Sequence, residues 1–436
     1  MISPQTRQTL AGIGLAVCII LAVLASLPGW IAGVYAGAAA WLAGVLLWPD
    51  VPRRIRIQSG ILLLVGVLGM GAGVTGVGPG TAIRVSDLPW QDAIAINAKL
   101  IAMLAAVSFL RLITAPPDPT VARVPTGRRS LAATLAGVHL FGAVVNLSTV
   151  FIMARRMSSE DRLSRQQYVA LVRGFGTAAF WSPFFAAMAA ALTYAPGARL
   201  PALLAFGLPL ALLSLLLTYR DVSRLGAEDF RGYPLNVSSL WLPALLAALI
   251  LAAHGWRADL SILGLIALLA PSVTVVTLAV RRRSVVNEVT VHFRRGLPAM
   301  KGELVLFLSA GVMATGLTVL MAVTELTLPM QGFGGREAAL LLAALVAAAI
   351  VGVHPVIGVA AAAPLVAPLN PDPSLLASVF LAAWGIGVSA SPLSAMNLAI
   401  QGSYGIRPGE VLKWNLPFAV ATLLIAAAML LAHPAG

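Results

Sequence analysis

Charge is what this sequence has least of. Only 10% of its 436 residues are Asp, Glu, Lys or Arg, against roughly 25% in soluble domains. So few charges could not cover the surface of a soluble fold, which excludes one or two ordinary soluble domains. Cysteine is nearly absent too. Cys18, inside the first apolar run, stands alone, excluding a disulfide framework and a thiolate metal cluster. No Walker loop, zinc motif or His/Cys cluster occurs, so neither a metal nor an organic cofactor is expected. Carboxylates are equally scarce: there are 16 Asp and Glu residues, none at the centre of an apolar run as the runs are drawn below. A cation pump or exchanger usually keeps a buried carboxylate, so this shortage favours an anionic or neutral substrate.

Apolar residues make up 59% of the chain. Long runs of them, each near the roughly 20 residues that cross a bilayer, set the architecture. The runs are Thr9–Leu27, Trp30–Trp48, Ile57–Gly78, Ala93–Ile113, Leu131–Met153, Gln166–Tyr194 and Pro201–Tyr219, then Leu240–His254, Leu260–Val280, Leu304–Thr324, Arg336–Leu369, Leu375–Gln401 and Trp414–Ala432. Lipid offers no hydrogen bonds, so spans must be helices or a closed barrel, and continuous Leu- and Ala-rich runs lack a barrel's alternation. The expected fold is an all-α polytopic membrane protein embedded in the lipid bilayer. It has about 11 transmembrane helices plus two re-entrant hairpins in an inverted repeat, for the reasons that follow.

A net charge of +13 invites a nucleic-acid partner. The placement of the charge excludes it, because Arg and Lys fall in short loops, as the positive-inside rule requires. Those loops place the N-terminus in the cytoplasm of a bacterial cell whose inner membrane holds the chain. The first run reads as an uncleaved span, since another apolar run follows at once. Alternation fails once: Leu131–Met153 has arginines on both flanks, at Arg128 and Arg129 and at Arg155 and Arg156. A hairpin that enters and leaves on one face removes the conflict. Irregular backbone at membrane depth then points to a substrate cavity.

Two stretches resemble each other. GVHLFGAVVNLSTVF from Gly137 precedes GFGTAAFWSPFFAAM from Gly174; GVHPVIGVAAAAPLV from Gly352 precedes GIGVSASPLSAMN from Gly385. His139 and His354 lie 215 positions apart, Ser182 and Ser391 209 apart. Their flanking charges run in opposite senses, the pattern of inverted-topology transporter repeats. The domains expected are helices at 1–130, a first repeat unit at 131–235, helices with a basic loop at 236–335, and the inverted unit at 336–436.

Ser182-Pro183 and Ser391-Pro392 sit mid-run, where proline breaks a helix. Such a break exposes a positive dipole end that suits an anion. Candidate binding groups are Asn146, Ser148 and Thr149 at the first hairpin, Thr177 and Ser182 at the first break, and Ser389, Ser391, Ser394 and Asn397 at the second. The bland reading of these hydroxyls is that they bond back into their own helices. His139 and His354 are candidates for a proton relay, or else neutral rings bonded to nearby carbonyls. Lys99 is expected to snorkel and Asn97 to make a helix-packing contact.

These residues resemble the ion transporter superfamily, which includes divalent-anion:sodium symporters, arsenical-pump membrane subunits and related carboxylate permeases. The resemblance rests on a hairpin followed by a helix broken at a Ser-Pro turn, repeated upside down over Leu131–Tyr194 and Arg336–Gln401. It implies that hairpin tips and helix breaks bind substrate and coupling ion, here NLST at Asn146–Thr149 and SASPLSAMN at Ser389–Asn397, and that the repeats move elevator-fashion. The paired Ser-Asn-Thr motifs of dicarboxylate symporters are missing. The function expected is a secondary active transporter, not an enzyme, that moves a small organic or inorganic anion coupled to Na+ or protons, with a homodimer as its assembly. The alternatives are a membrane enzyme acting on a lipid-linked substrate and an assembly subunit.

Overall fold

The computed structural model describes residues 3–27, 33–113, 125–145, 147–159, 162–233, 241–257, 260–326 and 328–432. Among them the chain is helical, without strands. The first helices are α1 (Pro4–Leu24), α2 (Gly33–Leu47), α3 (Arg53–Thr75), α4 (Trp90–Ala95) and α5 (Ala98–Val107). Then come α6 (Arg128–Val145), α7 (Ser148–Met157), α8 (Arg165–Gly176), α9 (Ala186–Tyr194) and α10 (Leu200–Arg224). The rest are α11 (Trp241–Trp256), α12 (Ile262–Val280), α13 (Val285–Val291), α14 (Lys301–Thr324), α15 (Gly335–Ile350), α16 (Pro355–Val366), α17 (Pro373–Ala390), α18 (Ala395–Tyr404) and α19 (Pro408–Leu431).

Eight of the described helical stretches are long and apolar enough to span a membrane. Shorter α2, broken α8–α9 and α11 bring the spans to the eleven expected, with α6–α7 and α15–α16 as hairpins. Burial sorts the spans. Only 33% of the most apolar window is enclosed in α3, α10 and α19, which leaves broad lipid-facing surfaces, whereas 94% is enclosed across α17–α18.

The chain forms two compact units that follow contact rather than sequence order. Unit 1 comprises Met1–Ile113, Leu246–Gln331 and Ala360–Asn370; unit 2 comprises Thr114–Leu245, Gly332–Val359 and Pro371–Gly436.

Within unit 1, α3 lies against α14 backbone to backbone. A Cβ added at Gly69 would strike the carbonyl of Gly316, and one at Gly316 would strike Gly66, the small-residue packing by which helices associate in lipid. Two expectations are corrected here. The run Ala93–Ile113 is not one helix but breaks at Ile96–Asn97, where Asn97 leaves the helical region with φ −99° and ψ 6°. The Asn97 amide restores a partner across the bundle, donating to Phe307 O at 2.6 Å. The long basic loop after Arg283 is in fact helical. It passes through α13, a π turn at His292–Gly296 and a 3-10 turn at Leu297–Met300, straight into α14.

Both hairpins are re-entrant; the first lies in unit 2, and the second has α15 and the start of α16 in unit 2 and Ala360–Asn370 in unit 1. The first is tied at its open end by one side chain. Ser164 and Gln167 form a capping box at the start of α8, with Gln167 N to Ser164 Oγ at 3.2 Å and Ser164 N to Gln167 Oε1 at 2.9 Å. The Gln167 amide then donates to Met157 O, at the end of α7, and to Arg231 O, at 2.8 and 3.0 Å. Arg231 pairs with Thr126, just before α6. Start and end of the hairpin therefore meet beside the start of α8. The second hairpin opens at the other face. A Cβ on Gly335 would strike Leu430 O at the far end of α19. The chain after α16 reaches α17, whose Ser374 Oγ accepts from Arg199 N at 3.1 Å, beyond the end of α9. One hairpin enters beside the start of the α8–α9 span and the other beside its finish. That is an inverted repeat.

Candidate functional site

Both Ser-Pro dipeptides break their helices. In the first, α8 tightens into a 3-10 turn at Thr177–Phe180 and the chain runs non-helically to Phe185 before α9 begins. In the second, α17 stops at Ala390 and α18 starts at Ala395. Proline cannot donate the next helical hydrogen bond and crowds the turn before it. The preceding serine supplies local replacements. Ser182 Oγ accepts from Phe184 N at 3.2 Å, and Ser391 Oγ accepts from Leu393 N at 3.3 Å.

The same two hydroxyls reach the hairpins. Ser182 Oγ donates to Ala143 O at 2.5 Å, near the end of α6. Ser391 Oγ donates to Ile350 O at 3.5 Å, the last residue of α15. Each break thus faces the tip of its own hairpin through its serine, by a short bond in the first repeat and a long contact in the second.

The broken helices also cross each other. A Cβ on Gly385 would meet the Gly176 carbonyl and the Phe180 ring, and one on Gly176 would meet Ser389 Oγ and Gly385 O. Only glycine at both positions lets the backbones approach this closely. The crossing sets Thr177 of one repeat near Ser389 of the other, so the candidates of both breaks belong to one neighbourhood.

Asn397 organises the second break. Ser394 Oγ accepts from its backbone N–H at 3.3 Å as the N-cap of α18. Its carboxamide Nδ2 donates to Ser391 O at 2.8 Å and to Val388 O and Ser389 O at 3.3 Å. Carbonyls left orphaned where α17 ends are therefore satisfied by one fully buried side chain. Thr177 Oγ1 and Ser389 Oγ bond back to Gly174 O at 2.9 Å and Gly385 O at 3.0 Å. Thr149 is buried in the first turns of α7; Asn146 and the side chain of Ser148 lie outside the described residues.

The histidines differ. The indole of Trp181 can only donate, and does so to His139 Nε2 at 2.9 Å. His139 Nδ1 therefore carries the proton, facing Thr177 Oγ1 at 3.0 Å and Gly174 O at 3.2 Å. That is a neutral imidazole with both nitrogens engaged. His354, in the second hairpin turn, accepts from Val356 N at 3.3 Å and sits edge-on to Trp384 at 5.7 Å.

Behind Asn397 lies a polar chain that the sequence reading did not find. Tyr168 donates to Asn397 Oδ1 at 2.8 Å and accepts from Asn415 Nδ2 at 3.3 Å. Asn415 Oδ1 accepts from Arg173 Nε at 3.0 Å. The Arg173 guanidinium, 3% exposed, also donates to Trp414 O at 2.6 Å and Asp221 Oδ2 at 2.8 Å and lies 4.5 Å over the Phe418 ring. A buried cation inside a span is itself the signal that should have found it. The partner, Asp221, stands at the end of α10 among basic loop residues, which disguised it.

No family model matches the sequence, and no curated protein matches it. Solved structures match the fold. The Alcanivorax borkumensis YdaH transporter, described as having an unusual topology, is 16% identical with a TM-score of 0.52, covering 87% of this chain and 97% of its own. Neisseria gonorrhoeae MtrF, described within a class of antimetabolite efflux pumps, is 13% identical with a TM-score of 0.51, covering 86% and 94%. Identities this low show a shared fold and nothing finer.

Proposed function

We propose that this protein is a secondary transporter of a small anion, with its translocation site where the two breaks and two hairpin tips of unit 2 meet. One observation carries the reading. Ser182 and Ser391 occupy equivalent positions in opposed repeats, and each joins a helix break to a hairpin tip. Two half-helices, α9 and α18, begin at these breaks. Their N-terminal dipole ends favour negative charge. Ser391, Ser394 and Asn397 are the groups placed to meet the substrate at one break, and Ser182 and Thr177 at the other. We place the chain in the bacterial inner membrane with its N-terminus cytoplasmic, and its basic loops support that orientation.

Coupling is to sodium or to protons. The carbonyls at the end of α17 could take sodium only if the Asn397 amide withdrew from them; in the described arrangement it occupies them. His139 would serve protons only after Trp181 releases Nε2. The relationship to an efflux pump makes export a direction worth measuring alongside import.

The test is thermal stability of the detergent-purified protein against a panel of carboxylates and oxyanions, with and without sodium. A bound ligand raises the midpoint by mass action. One anion should raise it in the wild type and fail to do so in Ser391→Ala and Asn397→Ala, and a larger shift in sodium would assign the coupling ion. Indifference to every anion, or an undiminished shift in both variants, would overturn the site.

A further inference from the structure

Unit 1 holds a cavity that the transport site does not use. It measures about 480 Å³ and lies among α1, α2, α4, α5 and α14, within the range of small-molecule sites. Small side chains make the space: Ala25 and Ala95, both half-buried, form part of its wall. Its polar lining is Lys99, Asp92, Thr315 and Thr318.

Lys99 does more than snorkel. The helix break at Ile96–Asn97 restarts the chain as α5, and Asn97 pins that restart to α14 through Phe307 O. Lys99, in the first turn after the break, is half-buried. Among the described residues it forms no ion pair with a carboxylate. An ammonium offers three donors and no acceptor, and a desolvated cation without a counter-charge is unfavourable. An anion inside the cavity would remove that deficit. Thr315 and Thr318 each donate their hydroxyl proton to their own helix, to Gly311 O and Ala314 O at 3.0 Å. Their oxygens are therefore left as acceptors for a ligand's hydroxyl protons. Asp92 is exposed, and its negative charge in the same lining works against a second charge on the ligand.

We infer that this cavity is a second binding site, taking a monoanion that carries hydroxyl groups beside an apolar body. Lys99 holds the anionic group, Thr315 and Thr318 accept from the hydroxyls, and the alanines receive the apolar part. Soluble hydroxy acids have this chemistry, and so does the phosphoglycerol headgroup of a membrane lipid.

The experiment uses the full chain and two probes: mandelate added to the detergent-purified protein, and nanodiscs of dioleoylphosphatidylglycerol compared with dioleoylphosphatidylcholine. Mandelate should raise the unfolding midpoint saturably, with an apparent Kd at least about tenfold weaker in Lys99→Met and nearly unchanged in Lys99→Arg. The shift should persist in Asn397→Ala, which separates this site from that of unit 2. A response to phosphatidylglycerol alone, lost in Lys99→Met, keeps the anion site and assigns it to lipid. Lys99→Gln and Thr318→Val repeat the measurement should Lys99→Met fail to run as a monodisperse species on size exclusion. The inference is overturned if neither probe shifts the midpoint, or if the shifts are the same without the Lys99 ammonium.

Discussion

The hydroxyl of Tyr168 and the carboxamide of Asn397, 229 positions apart, are joined by a 2.8 Å hydrogen bond in the buried interior of unit 2. The bond ties one repeat's broken helix to the other's, and the same hydroxyl accepts from Asn415. Tyr168→Phe would leave Asn397 Oδ1 without its donor and the Asn415 amide with one acceptor fewer. Unsatisfied buried polar groups cost roughly 1–3 kcal/mol each. We expect a midpoint several degrees lower in differential scanning fluorimetry and reduced transport in proteoliposomes. A midpoint equal to wild type would mean that the network contributes little.

Arg173 is enclosed while Asp221 is half-exposed, so the two sides of their ion pair are unequal. Arg173→Met removes the buried charge together with its bonds to Asn415 and Trp414. Asp221→Asn leaves that charge buried with two neutral partners. Losing one partner of a fully buried pair costs about 3–5 kcal/mol; exposure of Asp221 reduces its share, and we expect about 2 kcal/mol for Asp221→Asn. Chemical denaturation of the single and double variants measures the coupling. Additive effects would deny it.

Gly385→Ala places a methyl group against the Gly176 carbonyl and the Phe180 ring. Overpacking of this kind costs about 1–3 kcal/mol. Gly402, inside α18 and with nothing near an added Cβ, is the control, and Gly402→Ala should leave the midpoint unchanged or slightly raised. Comparable losses at both positions in the same thermal assay would refute the crossing.

Cys18 is the sole cysteine and is buried, so Cys18→Ser provides a background for labelling. Single cysteines at Thr126 and Ser158, on the two ends of the first hairpin, should react with an impermeant maleimide from the same side of the membrane. A cysteine at Asn370, after the second hairpin, should react from the opposite side. Labelling of Thr126→Cys and Ser158→Cys from opposite sides would make α6–α7 a true crossing.

Much of this fold was legible in the chain because membrane burial leaves few ways to satisfy a backbone. Arginines on both flanks of Leu131–Met153 forced a re-entrant hairpin, and Ser-Pro at 182–183 and 391–392 marked both breaks. The break at Ile96–Asn97 had no such mark: neither proline nor glycine stands there, and it exists because Asn97 finds Phe307 across the bundle. The helical character of 285–300 was hidden by its arginines, which read as loop. Arg173 and Asp221 eluded the reading for a related reason. Their pairing needs α8, α10 and α19 to meet, and no spacing along the chain encodes that meeting.

The crossing at Gly176 and Gly385 has a mechanical consequence. Two ordinary helices meet through side chains, which can slide or repack as rotamers change. Here the backbones approach closely, and the side chains at the contact, the Phe180 ring and the Ser389 hydroxyl, are both buried, so the two breaks pack as one body. A motion that tilts one half of the repeat must carry the other with it. A substitution that loosens the packing at either break would therefore be felt at the other.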